Sequence, residues 1–543
     1  MRARTKRNLM EAAGYALALA IGLLLGQNYL DENHQSSSTS ILPLGLTEKT
    51  GKVQRMIDLI ATSYVDSVDV DELQELAIAE IIDQLDPHSS YLSPAEARVQ
   101  HETLEGSFEG IGVEYYRLND TLLTVGLIAE GPAVKAGLRV GDKLIAVNGE
   151  KIAGVGATDQ EIENKIRGRR GSTLELDIHR DGTDLPEPLK IVRDRIEISS
   201  IDAAYMIAPH TAYIKVRRFG SRTASDFREA LDRLTKEGAK KLVLDLRENG
   251  GGYFSAATSL ASQFFDDRLL LVYTQGAHES RTDYYTTADG QFSDLELAVL
   301  IDELSASGSE IVAGAIQDLD RGIIVGRRSF GKGLVQEQFG FGDGSALNLT
   351  IARYYTPLGR SIQKSYRQNG GQLVKNPVPG APITDSTQHV DSLVFFAGQK
   401  FTTAAGRIVY DGGGIMPDIY VPTDSSTRIS FYRNLVRENL VEAYVYERLA
   451  KSVPAYSVES FLSGYHLPDE DYADFLDFIR EQGIAFTPRD AKQAKGRIQR
   501  DIEALLGRYY FGYDVYFKVK NRSDEVLSQA VQVLSPPVAD EDE

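Results

Sequence analysis

Two stretches constrain this chain's fold more than any others. Lys241–Arg247 (K-L-V-L-D-L-R) and Leu295–Asp302 (L-E-L-A-V-L-I-D) are almost unbroken apolar runs of strand length. A strand with one face in water alternates polar and apolar residues. A strand apolar throughout is covered on both faces, as in a parallel sheet flanked by helices. The neighbouring segments fit that reading. T-A-Y-I-K-V-R (Thr211–Arg217) reads as a strand. The segment Ser225–Gly238 reads as a helix, with Ser225 as its N-cap and Gly238 as its stop. F-S-A-A-T-S-L-A-S-Q-F-F and E-I-V-A-G-A-I-Q-D read as two more helices. Strand–helix alternation of this kind implies an α/β core.

The rest of the chain arranges itself around that core. Its 543 residues suffice for several domains. Residues 1–40 read as a signal anchor and linker, 41–105 as an N-terminal helical segment and 106–196 as a β-rich unit. Residues 197–425 form the core, and 426–543 a helical C-terminal region. The expected fold class is multidomain α/β, with parallel-type buried strands, an inserted β-rich domain and helical terminal regions. In the β-rich unit, N-G-E (Asn148–Glu150) after K-L-I-A-V signals a hairpin, and a helix near Gln160–Arg167 ends before Gly168. Periodic apolar residues make residues 48–84 helical. The helical ends offer surfaces for a homo-oligomer.

Arg2, Arg4, Lys6 and Arg7 precede an apolar run from Ala12 to Gly26, with no convincing cleavage site after it. That is the pattern of an uncleaved signal anchor. Basic residues stay on the cytoplasmic side, so the chain beyond about residue 31 faces outward. The expected location is the periplasmic side of a bacterial inner membrane. A formal net charge of −19 argues against nucleic acid as a partner. With no cysteine in the chain, thiolate metal sites and cysteine nucleophiles are excluded.

L-S-A-S-G-S-E-I-V-A-G (Leu304–Gly314) is the sharpest chemical candidate. Its serines lie between a buried strand and a helix start, where N–H groups and the positive helix end favour a developing oxyanion. Ser305, Ser307 and Ser309 compete, since a helix start also wants a serine cap. A serine nucleophile needs a base. His101 and His179 read as surface residues, and His88, in D-P-H-S-S, as a polar loop contact. Lys332, flanked by glycine and apolar residues in F-G-K-G-L-V-Q, suits a serine–lysine dyad if burial keeps it neutral. The same lysine ends G-x-x-x-x-G-K from Gly326, close to a phosphate loop. Gly333 replaces the magnesium-binding hydroxyl, and the following L-V-Q-E-Q-F reads as a strand, not a helix. Nucleotide binding is therefore not expected. F-E-G-I-G-V-E-Y lacks the third glycine of a dinucleotide fingerprint. No metal or cofactor is called for.

At these residues the chain resembles the C-terminal processing peptidases, or tail-specific proteases. L-D-P-H-S-S-Y-L-S-P, L-V-L-D-L-R-E-N-G-G-G, S-A-S-G-S-E-I-V-A-G-A, F-G-K-G-L-V-Q, A-R-Y-Y-T-P-L-G-R-S-I and G-G-G-I-M-P-D occur in the family's order. The resemblance implies Ser307 as nucleophile, Lys332 as base and Gln336 as the residue that orients the lysine. It also implies the N–H groups of Gly252 and Gly308 as oxyanion donors. Gly308 stands where alanine is commoner, which keeps the donor and loosens the turn. G-P-A-V-K-A-G-L-R-V-G-D-K-L-I-A-V-N-G (Gly131–Gly149) resembles a PDZ domain. That likeness implies that Gly110, Ile111, Gly112 and Val113 hold a peptide's terminal carboxylate. The function implied is a serine endopeptidase that cleaves exported proteins near or from their C-terminal ends. The alternatives are a non-catalytic PDZ scaffold and a hydrolase of small esters or amides, which would have no use for a PDZ-like unit.

Overall fold

A computed structural model describes residues 51–118, 120–287, 289–365, 398–423, 429–450 and 456–535. The anchor expected over residues 1–40 lies outside them. Among the described residues, no helix is long and apolar enough to cross a membrane. The chain divides into residues 1–75 and 76–543. The first unit contains α1 (Lys52–Ser63) and the start of α2 (Val70–Ile82). The helical stretch expected over 48–84 is thus broken. Tyr64 turns extended (φ −69°, ψ 149°), and the Asp69 carboxylate accepts the N–H groups of Asp71 and Glu72 (3.0 and 3.2 Å) to start the second helix.

The second unit continues with β1 (Ser90–Leu92) and α3 (Pro94–Glu105). Next, β2 (Ser107–Gly110) pairs antiparallel with β10 (Asp194–Glu197), a stem through which the chain enters and leaves the β-rich unit. Inside it, β3 (Val113–Leu118), β4 (Thr121–Leu127), β5 (Lys143–Val147), β7 (Thr173–Arg180) and β8 (Thr183–Asp184) form a sheet in that order. β6 (Glu150–Lys151) pairs with β5, and β9 (Leu189–Val192) with β7. The β5–β6 turn places Asn148 and Gly149 at φ 51° and 78°, as an Asn-Gly hairpin requires. Helices α4 (Pro132–Lys135) and α5 (Asp159–Ile166) complete this unit, whose core includes Leu122, Ala133, Leu144, Ile162 and Leu174.

The core sheet runs β11 (Ile201–Ala208), β12 (Thr211–Val216), β13 (Lys241–Asp245), β16 (Glu296–Ile301), β17 (Ile323–Gly326), β22 (Ile419–Tyr420). It is parallel except for β11. Helices α6 (Thr223–Lys236), α7 (Phe254–Ser262) and α8 (Gly308–Asp318) are the crossovers. α6 stops as the sequence implies, with Gly238 at φ 99°, but it starts earlier than expected. Ser225 is not its cap. Arg222 holds that position, Ser225 Oγ donates to Arg222 O (2.7 Å), and Thr223 Oγ1 accepts the Gly220 N–H (2.8 Å).

A second sheet, ordered β1–β19–β14–β15, contains β14 (Leu270–Gln275), β15 (Thr282–Tyr285) and β19 (Ala346–Tyr355), with β18 (Leu334–Gly340) paired to β19. β20 (Lys400–Thr402) and β21 (Ile408–Tyr410) make a hairpin. The C-terminal region is helical: α9 (Ser430–Arg437), α10 (Leu440–Tyr444), α11 (Val458–Gly464), α12 (Asp469–Glu481), α13 (Pro488–Phe511), α14 (Tyr513–Lys520) and α15 (Glu525–Val533).

This region explains the apolar strands. Leu242, Leu244, Leu297, Val299 and Ile301 face the crossover helices. Between them, Val243, Ala298 and Leu300 face a separate core with Val526, Leu527 and Ala530 of α15. β4 is double-sided for a related reason: Leu122 points into its own unit, whereas Leu123 and Val125 join the core of α9–α14. The C-terminal helices therefore pack against both the β-rich unit and the core sheet. Arg508 pairs with Glu114 of β3 (2.7 Å), and Asp524 pairs with Arg247 (2.7 Å), just past β13.

Candidate active site

Three neighbouring parallel strands, β13, β16 and β17, end on one side of the core sheet. Ligands in open α/β sheets bind beyond the carboxyl ends of strands. β13 leads into the turn Glu248–Gly252, β16 into Ser307, and β17 into the Lys332 loop. The first two turns are stitched together: Ala306 N–H donates to Asn249 O (3.0 Å), and Ser309 Oγ donates to the same carbonyl (2.8 Å).

The structure separates the three serines. Ser305 and Ser309 are fully buried. Ser305 Oγ accepts from Asp302 N (2.9 Å) and donates to Leu246 O (2.9 Å), so both buried hydroxyls are held by the scaffold. Ser307 is half-buried at the N-cap of α8, with φ 52° and ψ −110°. A non-glycine residue in that region is strained and persists only where its surroundings impose it.

The glycine turn wraps around Phe219. Phe219 N–H donates to Gly251 O (2.9 Å), and Phe219 O accepts from Tyr253 N–H (2.7 Å). Gly251 N–H is bonded to Asn249 Oδ1 (2.9 Å). Among the described residues, the N–H groups of Gly252 and Gly308 have no acceptor. Gly251 lies against the Ser307 turn: a Cβ on it would meet Ser307 Cβ at 2.7 Å. Space also favours glycine at 308. A Cβ there would meet Phe219 Cδ2 at 2.8 Å, because the Phe219 ring occupies that space.

Lys332 Nζ donates to Gln336 Oε1 (2.7 Å), and Gln336 Nε2 is anchored on the carbonyl of His88. Gln336 follows an irregularity in the β18–β19 register, a device that re-aims a side chain. Burial pushes the Lys332 pKa below its ordinary value, against the opposing charges of Asp86 and Glu310. His88 is lowered to about 4, by burial first and then by the Lys332 charge. No hydrogen bond joins Lys332 Nζ to Ser307 Oγ among the described residues. The two residues meet on a shared support instead.

That support went unread in the sequence. Glu310 is fully buried and accepts from Ser307 N (2.9 Å), Lys332 N (2.9 Å), Gly331 N (2.7 Å) and Ser329 Oγ (2.5 Å). Burial raises its pKa despite these donors. Its signal was the Ser-x-x-Glu spacing at a helix start, which reads as an ordinary capping box. The two residues that follow A-R-Y-Y-T-P-L-G-R-S-I also brace the lysine loop: Gly333 N–H donates to Gln363 Oε1 (2.8 Å), and Lys364 N–H to Gly331 O (2.8 Å).

In the β-rich unit, Gly110–Val113 links β2 to β3. Gly112 has φ 75° and Ile111 is buried. The carbonyls of this loop are taken, Ile111 O by Ala133 N (2.9 Å) and Gly112 O by Ile128 N (3.0 Å). Among the described residues, the Ile111 and Gly112 N–H groups have no acceptor. Among the described residues, β3 pairs with β4 and no other strand, which leaves its other edge open. Arg117 of β3 is joined to Asp159 of α5 (2.5 Å).

Residues 210–374 match Peptidase family S41, residues 125–180 match the PDZ domain family, and residues 431–512 match a family of unknown function. The chain is 34% identical over 356 residues to a carboxy-terminal-processing protease of Bartonella bacilliformis, covering 65% of this chain and 79% of that protein. It belongs to the carboxy-terminal processing proteases. The protein is therefore a serine protease with a PDZ domain, which leaves the non-catalytic scaffold reading without support. Carboxy-terminal processing protease CtpB of Bacillus subtilis is 32% identical to this protease over 360 residues, covering 65% of this chain and 74% of that one. A solved photosystem II D1 C-terminal processing protease is 28% identical, with a TM-score of 0.32, over 57% of this chain and 89% of that one.

Proposed function

We propose that this protease cleaves exported proteins near or from their C-terminal ends, with Ser307 as nucleophile and Lys332 as base. One observation carries the reading: a half-buried, strained Ser307 shares the Glu310 carboxylate with a half-buried lysine of lowered pKa. A neutral amine has two N–H bonds and one lone pair. Gln336 takes an N–H at 2.7 Å, which leaves the lone pair to receive the Ser307 proton once Nζ reaches Oγ. Oγ then bonds to the scissile carbonyl carbon, and the oxyanion is met by the N–H groups of Gly252 and Gly308. The lysine's proton passes to the leaving amine as the C–N bond breaks. Water, deprotonated by the same lysine, releases the acyl group.

The Gly110–Val113 loop would hold the substrate's terminal carboxylate while its tail adds to the open edge of β3. The basic residues before Ala12–Gly26 favour an anchored protease acting outside the inner membrane, which cell fractionation would test. The decisive assay is cleavage of an unfolded protein by S307A and K332A. Both should lose at least about 10³-fold in rate while melting as the wild type does. Undiminished cleavage by either overturns the dyad. Amidating the substrate's C-terminus should raise KM; an unchanged KM overturns carboxylate recognition.

A further inference from the structure

Tyr354, in β19, is 1% exposed. Its hydroxyl bonds to two main-chain carbonyls, Lys332 O at 2.8 Å and Ser307 O at 3.1 Å. A phenol has one proton, so the two carbonyls share it. They do not depend on it equally. Ser307 O already accepts the N–H groups of Glu310 (2.9 Å) and Ile311 (3.0 Å) in the first turn of α8. Lys332 O has no other donor among the described residues. Glu310 thus ties the two segments together through their N–H groups, and Tyr354 ties them through their carbonyls.

We propose that Tyr354 is a positioning residue for the protease reaction, holding the Lys332 main chain against the first turn of the nucleophile's helix. The proposal rests on the Ser307/Lys332 reading. Its ring belongs to the hydrophobic core, so phenylalanine preserves the packing and removes only the hydroxyl. Burial raises the phenol's pKa, so it remains a donor across the working range. Without it, the half-buried Lys332 carbonyl has no donor among the described residues, and an unsatisfied polar group relaxes towards water if it can. Moving the loop lengthens the path from Nζ to Oγ and hydrates the amine. The lysine pKa then rises towards its ordinary value. Because only the neutral amine is a base, the rising limb of kcat moves to higher pH.

The test is steady-state cleavage of a quenched fluorescent peptide with a free C-terminus, with active sites counted by a fluorophosphonate probe. Y354F should lower kcat per active site by about tenfold or more, leave KM within about twofold, and shift the limb upward. A purely structural role would lower the melting temperature and the number of active sites, leaving kcat per site and the limb unchanged; that result overturns the proposal. If Y354F does not fold, 4-aminophenylalanine at 354 replaces it. Its weaker N–H donors should give an intermediate kcat and the same direction of shift, and wild-type values for both overturn the proposal. S307A and K332A in the same assay separate the two levels. Activity in either removes the dyad and this proposal with it. If both are dead and Y354F behaves as wild type, only the proposal fails.

Discussion

If Lys332 is the base, as proposed, opposing effects at its amine set the pH at which the site works. Burial disfavours the ammonium form, while Asp86 and Glu310 favour it, and burial prevails. On that proposal the amine must be neutral to take a proton, so activity should rise as pH climbs through the lysine's lowered pKa. We expect the rising limb of kcat below the ordinary lysine value of about 10.4. His88, at about 4, is neutral throughout that range and supplies no titration there. A pH profile of H88Q should keep the wild-type limb; a limb that disappears would make His88 the base. The lysine was legible because glycine and apolar residues flank it. Tyr354 was not, because it is one of two adjacent tyrosines in a strand, and alternation does not say which faces the site. Only the packed fold shows Tyr354 buried and Tyr355 partly open.

The glycine turn after β13 shows what an element contributes beyond its residues. Gly252 has φ 145°, and a Cβ there would meet Phe219 O at 2.1 Å. G252A must therefore open the turn and move the N–H proposed to meet the oxyanion. We expect kcat to fall by about 10²–10³, the effect of losing one such donor, measurable as slower acylation of Ser307 by a chromogenic ester. Acylation at the wild-type rate would place the donor elsewhere. G308A meets the Phe219 ring edge instead of fixed backbone and should cost less in the same measurement. The strands and crossover helices were readable because burial writes itself into apolar patterns. The start of α6 was not, since Thr223 stabilises the preceding turn through Gly220, a preference that competes with the better-looking cap at Ser225.

Across the molecule, the C-terminal helices close one core that the sheet begins and take Leu123 and Val125 of β4 into a core of their own. The sequence showed them as helical and rich in tyrosine and leucine, but which surfaces they cover depends on long-range packing that no local pattern records. Val526, Leu527 and Ala530 cover the face of the core sheet that bears Val243, Ala298 and Leu300. Burying side chains of that kind is worth about 1.5–3 kcal/mol each for the larger ones. A chain stopped after Thr423 should therefore be insoluble or bind a hydrophobic dye, and L527D should lower the urea midpoint and the activity together. A truncated chain that melts like the whole protein would make the region an accessory. The same arrangement sets an order of events during synthesis. Ser307 and Lys332 leave the ribosome with one face of their sheet still bare. It is sealed only when residues 526–534 have been made, so the proposed catalytic pair exists well before the scaffold that steadies it is closed.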